Sequence, residues 1–276
     1  MSTPYQPPVA GLLELGDDAL TEDWIDYLAL GLGPEHVPEL IRLATDEQLN
    51  APTTSSRPET WAPTHAWRAL GQLRAESAVE PLLELAEKLE DGLYTDPEMA
   101  PVFGMIGRAA IPALARALAD DEKSPEVHIL AVWGLEEIGT HDESARDELV
   151  PPLLARMEKW EHNTINVNGF LVDTLTGLRV MEAVPLMEQA FAADRVNLLA
   201  RGDWEDVQVQ LGLIEDRRER RAGLLGSIQA MDEVLDEDYL GPASGPASRP
   251  GSPDARAKKA RRKQQKESRK KNRRRK

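Results

Sequence analysis

Apolar residues recur at helical spacing through most of the chain. In PVFGMIGRAAIPALARAL (101–118), Val102, Phe103 and Ile106, and then Ile111, Leu114, Ala115 and Leu118, fall at i, i+3, i+4 and i+7 steps. The pattern is interrupted by Gly107 and, five residues on, by Pro112. Glycine can take the left-handed conformation that ends a helix. Proline is tolerated in a first helical turn, where its missing N–H has no partner to lose. The segment therefore predicts a helix closed by Gly107 with positive φ, a short turn, and a second helix with Pro112 in its first turn.

The same unit recurs. It is found in YLALGLGPEHVPELIRLA (27–44), HAWRALGQLRAESAVEPLLELA (65–86), the segment above, AVWGLEEIGTHDESARDELVPPLLARM (131–157) and GFLVDTLTGLRVMEAVPLMEQAF (169–191). Each is read as a first helix ending near a Gly, a turn, and a second helix opening on Pro38, Pro81, Pro112, Pro151 or Pro185. The prolines are 43, 31, 39 and 34 residues apart, around the period of helix-pair repeats. One pair has more apolar surface than it can hide alone, and stacking of neighbours buries it, which predicts an all-α solenoid of about five pairs. In the fourth unit THDESARDEL (140–149), between Gly139 and Pro151, reads as a lengthened turn or a longer helix. Asp203 reads as an N-cap with Glu205 and Asp206 in the first turn. Trp204, Val207 and Leu211 then share a helical face; the alternation of Val207, Val209, Leu211 and Leu213 also permits a short strand, and helix is preferred. Residues 222–235 are expected to form a last, capping helix.

These repeats resemble bacterial HEAT-like repeat proteins of the phycobilin-lyase type. AWRALGQLRAESAVEPLLELAEKL, FGMIGRAAIPALARALAD, NGFLVDTLTGLRVMEAVPLMEQAFAADRV and GDWEDVQVQLGL carry the resemblance, over roughly residues 20–213. It implies a HEAT-like α-solenoid and an interaction role. It implies no bilin chemistry, because the likeness is to the repeat.

Charge divides the chain. Of a net −15, residues 241–276 contribute +13 (fifteen Lys/Arg, two acids), which leaves −28 on residues 1–240. Four segments are expected: a disordered 1–10, the solenoid with its capping helices over 11–240, a Gly/Pro/Ser linker over 241–254, and a disordered basic tail over 255–276. The tail has the composition of a polyanion binder: Arg256, Lys258, Lys259, Arg261, Arg262, Lys263, Lys266, Arg269, Lys270, Lys271, Arg273, Arg274, Arg275 and Lys276, with no aromatic among them. Without base stacking, contact with RNA or DNA would be non-specific. Polyanion binding is preferred; folding onto the acidic body and serving only to solubilise are the alternatives.

Cysteine is absent, so disulfides, thiolate nucleophiles and Cys-held metals are excluded. No phosphate-binding loop and no nucleophile elbow occur; Gly31-Leu32-Gly33 lacks the rest of a dinucleotide fingerprint. His36, His65, His128, His141 and His162 lack metal-ligand spacing and read as surface or cap residues, so no cofactor is expected. The runs Asp120–Glu122 and Asp232–Asp238 read as solvated acidic faces. Of six tryptophans, Trp67 and Trp133 read as core; Trp61, Trp160 and Trp204 read first as inter-repeat packing and alternatively as partly exposed anchors for a partner. A HEAT-like DNA glycosylase is disfavoured because a body at −28 repels phosphate.

The reading is a non-enzymatic interaction scaffold or adaptor for a basic protein partner. The candidate contacts are Glu39, Arg42, Glu84, Glu87, Arg116, Glu188 and Trp204. The alternative is a nucleic-acid- or ribosome-associated factor that binds through its tail. No run of about eighteen apolar residues or signal-peptide pattern is present, so a cytoplasmic, membrane-free protein is expected.

Overall fold

The computed structural model describes residues 4–17, 24–51, 57–89 and 99–215, all within one compact unit over 1–218. The capping helix expected at 222–235, the linker over 241–254, the basic tail over 255–276 and the acidic run at 232–238 lie outside the described residues.

Eleven α-helices and no strand occur among the described residues. They are α1 (Val37–Ala44), α2 (Ala62–Gln72), α3 (Val79–Lys88), α4 (Met99–Ile106), α5 (Ile111–Ala119), α6 (Pro125–His141), α7 (Arg146–Met157), α8 (Ile165–Gly177), α9 (Val184–Ala192), α10 (Leu198–Arg201) and α11 (Trp204–Leu211). The first helices α2, α4, α6 and α8 pack in series, with α10 against α8. The second helices α3, α5 and α7 form a parallel series, and α1 packs on α2. The core lies between the two series. Val102, Phe103, Ile106, Ile111, Leu114 and Leu118 are buried as their spacing predicts, and Ala115 is half-buried. Helices α4 and α6 approach closely because Gly134 has no side chain; a Cβ there would lie 2.9 Å from the Phe103 ring. The run Met99–Ala119 is long and apolar enough by composition to cross a membrane. Gly107 divides it, however, into α4 and α5, and just over half of it is buried.

The punctuation follows the prediction in the third unit. Gly107 has φ 79, a 3-10 turn spans Gly107–Ala110, and Pro112 sits in the first turn of α5. Pro38 and Pro185 occupy the equivalent position in α1 and α9, and Pro81 is the third residue of α3. Four corrections apply elsewhere. In the first unit the element before Gly31 is only a 3-10 turn, Leu28–Leu30, stopped by Gly31 at φ 87. In the fourth unit Gly139 lies inside α6, which runs on to His141; the chain turns at Asp142, whose carboxylate accepts the Ser144 N–H. Helix α7 then starts at Arg146, so Pro151 and Pro152 fall in its interior and leave the exposed Asp147 and Glu148 carbonyls without helical donors. Residues 4–10 are ordered rather than disordered: Val9 is fully buried and the Tyr5 hydroxyl donates to Asp46 at 2.7 Å.

Helices α2 and α8 end near Gly71 and Gly177, yet their left-handed residues are Arg74 (φ 50) and Arg179 (φ 53). The Ala75 N–H donates to the Leu70 carbonyl (3.0 Å) and Arg74 N–H to Gly71 (2.9 Å). Val180 and Arg179 repeat the pattern on Leu175 and Thr176. These paired bonds satisfy the last helical carbonyls and hold a conformation that a Cβ disfavours by about 1–2 kcal/mol.

Arg179→Gly should therefore stabilise the protein by about 1 kcal/mol, and Gly107→Ala should destabilise it by a similar amount. Urea midpoints of the two variants read this directly. Equal, unchanged midpoints would mean that positive φ is not what shapes these turns.

Candidate functional site

Helix α3 carries Glu80, Glu84 and Glu87, and Glu76 stands in the 3-10 turn just before it; the four fall at steps of three and four residues and all are exposed. They form an acidic stripe along its outer side. Two of them are engaged by the next unit. Glu80 pairs with Arg116 of α5. Glu87 accepts the Ser124 N–H at 3.1 Å and lies 3.8 Å from Lys123. Glu84 makes no ion pair or hydrogen bond among the described residues. It stands instead on the wall of a groove of about 540 Å³ between α3 and the turn after α1. Leu85, Leu89, Pro81 and Ala51 give that groove an apolar lining; Glu47, Glu84 and Lys88 give it charge. A second groove of about 570 Å³ runs between α3 and α5 past Glu80 and Arg116.

The candidate contacts thus separate. Glu84, Glu87 and Arg116 gather around α3. Glu39 and Arg42 are occupied with the N-terminal segment: Glu39 accepts the Gln6 N–H (2.9 Å) and pairs with Arg42 (3.0 Å), whose guanidinium lies 4.1 Å above the Tyr5 ring. Burial, then Asp46, push the Tyr5 hydroxyl pKa far up. Glu188 is exposed on α9, and Trp204 is half-buried against Phe191, 5.5 Å between rings. These two belong to other repeats. The polyanion-binding residues from Arg256 to Lys276 lie outside the described residues.

Trp67 is buried and donates to the Ala44 carbonyl; Trp133 packs edge-on to Phe170 at 4.8 Å. Trp160 packs on the core as expected, half-buried.

A set of buried polar residues escaped the sequence reading. His65, His128 and Asn168 each occupy the fourth position of a first helix and tie down a backbone carbonyl elsewhere in the chain. His128 Nε2 bonds the Asp120 carbonyl at 2.9 Å. His65 Nε2 bonds the Gly16 carbonyl at 2.9 Å, and since a carbonyl only accepts, the neutral ring carries its proton there. Its Nδ1 then accepts the Tyr27 hydroxyl at 2.7 Å. The Asn168 amide donates to the Trp160 and Arg195 carbonyls, both at 2.8 Å. His65 and His128 are therefore core residues, which corrects their reading as surface or cap residues; aligning the recurrences on the start of each first helix would have exposed the shared position.

Arginines do similar work at the loops. Arg156 reaches the Leu118 carbonyl and Asp121, and Arg195 reaches the Glu161 and Asn163 carbonyls. Lys159, hydrogen-bonded to Asp121 at 2.7 Å, and Arg156 hold the Asp121 carboxyl below the usual range. Burial pushes the Glu136 carboxyl up, against a hydrogen bond from Thr174. Neither groove is lined by Glu136. Among the described residues no three His, Asp or Glu side chains are grouped to hold a metal ion.

A family model, PBS lyase HEAT-like repeat, matches residues 66–88, the span from α2 to the end of α3. The chain has a HEAT-like repeat fold. No curated protein and no solved structure matches it. The matched HEAT-like repeat is the one that carries the acidic stripe.

Burial holds the His128 pKa below its ordinary value, assisted by the Arg156 charge and opposed by the Asp120 carbonyl. Unfolding releases that group to bind a proton more readily. Its contribution to stability is thus intact above about pH 6.5 and declines as the pH falls from there toward the depressed folded value. His128→Asn, which places at this position the residue found at 168, should flatten the fall in stability as the pH drops below about 6.5. Urea titrations at several pH values measure the slope. An unchanged slope would remove His128 from the acid response.

Proposed function

We propose that the protein is a non-enzymatic scaffold or adaptor whose HEAT-like repeats present an acidic second-helix face to a basic protein partner. HEAT-like repeats commonly mediate protein interactions and are generally non-catalytic. One observation carries the reading: the exposed stripe of glutamates along α3 and the turn before it, with Glu84, unpaired among the described residues, over an apolar groove. Catalysis needs a nucleophile, base or metal converging on a pocket. Among the described residues the titratable groups with shifted pKa values serve loops and helix packing or, at Tyr5, tie the N-terminal segment to Asp46 beside a shallow groove.

The charge of the body sets the partner's sign. Residues 1–240 carry −28, so a basic surface is attracted and phosphate is repelled. Capture from lysate by the full-length protein should survive nuclease treatment, survive deletion of residues 255–276, and weaken as salt rises. Loss of all captured protein on nuclease treatment would contradict the scaffold reading.

The tail supports the second reading, binding to nucleic acid or to the ribosome. Fourteen Lys/Arg within 255–276 would release counterions from a polyphosphate. The full-length protein should bind a labelled single-stranded RNA weakly, without sequence preference, and with a steep loss as salt rises. Deleting 255–276 should abolish this. RNA binding that outlives the deletion would place it on the acidic body and overturn the charge argument.

A further inference from the structure

We propose that the groove between α3 and the turn after α1 seats a short extended segment of a basic protein, with one lysine or arginine against Glu84 and an apolar neighbour on Leu85 and Leu89. The inference rests on the scaffold reading and names its site.

Three observations point to this occupant. The first is charge. Glu84 is exposed and unpaired among the described residues, whereas Glu80 and Glu87 on the same helix already have partners from the next unit. Glu47, across the groove, pairs among the described residues with Lys88 alone, at 3.6 Å, and both side chains are well exposed. A pair that exposed contributes little and yields readily to an incoming cation. The second is the lining. Pro81, Leu85, Leu89 and Ala51 offer apolar surface directly beside these carboxylates. A lysine or arginine can lay its methylene stem there while its charged end reaches Glu84. The third is length. From Pro81 to Leu89 the helix rises about 12 Å, which four residues of extended chain would cover. Such a chain turns alternate side chains toward the groove, so a cation and an apolar residue two apart enter together. A nucleic acid meets the same carboxylates as like charges and is disfavoured.

The test titrates the full-length protein into a fluorescein-labelled hexapeptide of alternating lysine and leucine. A glutamine-for-lysine counterpart and a labelled single-stranded RNA serve as the other probes. Glu84→Gln should weaken binding of the lysine peptide about fivefold, the scale of one exposed charge-assisted contact. Ala51→Arg adds bulk and like charge at an exposed position of the wall, and should weaken it further without touching the core. Glu182→Gln, an exposed acid on a different repeat, should leave binding unchanged. Circular dichroism confirms that each variant is folded. If the wild type binds the lysine peptide and all three variants match it, the groove is not the site, although a basic partner remains supported. If the wild type ignores the lysine peptide, or binds the glutamine peptide as well, the basic-partner reading fails together with the groove. RNA binding reduced by Glu84→Gln would also overturn the inference.

Discussion

The interaction on which the rest of this structure depends is the apolar seam between neighbouring helix pairs. No single pair in the chain can enclose its own leucines and alanines. Phe103 shows why: it belongs to α4, is fully buried, and lies against Gly134 of α6 in the following unit. A fully buried aromatic of this kind contributes several kcal/mol, and here it does so only while the next pair is in place. Stability is therefore distributed along the series of repeats rather than held within any one of them.

Stacking leaves a second problem, the backbone of the loops between pairs. Their carbonyls approach buried surface and need donors. His128 and Asn168 supply them from the helix that follows, and Arg156 and Arg195 from further along the chain. These side chains are spent on architecture, and so are Glu39 and Arg42 under the N-terminal segment. Glu84 differs in being exposed, charged and unengaged beside apolar surface. The functional proposal follows from that difference more than from the total charge.

Much of this was legible from residue order alone. Gly107 and Pro112 act locally, so their roles could be read from helix chemistry, as could the Asp203 cap, which accepts the Asp206 N–H in a capping box. Gly139 and Pro151 misled for the opposite reason. Residues 140–149 admitted a lengthened turn or a longer helix, and the structure takes the longer helix: α6 runs past Gly139 to His141, Asp142 provides the turn, and α7 starts at Arg146, which puts Pro151 in its interior. Arg74 and Arg179 could not be recognised as left-handed, because paired backbone bonds and not the side chain hold them there. The buried histidines were missed for a related reason: a carbonyl partner leaves no mark in sequence, and only their shared place in the first helices points to them. Among the seven candidate contacts, Glu84 and Glu87 were named for their polarity on a second helix, but polarity could not tell them from Glu39, which accepts the Gln6 N–H.

Hydrogen exchange in Gly134→Leu tests the seam most directly. The added side chain must displace the Phe103 ring, so it strikes the contact between α4 and α6 and leaves both helix propensities intact or improved. If pairs are stable only through their neighbours, protection should fall in α4 and α6 together, and in α5 with them. Loss confined to α6, with α4 as protected as in the wild type, would contradict this account and make each pair an independent unit.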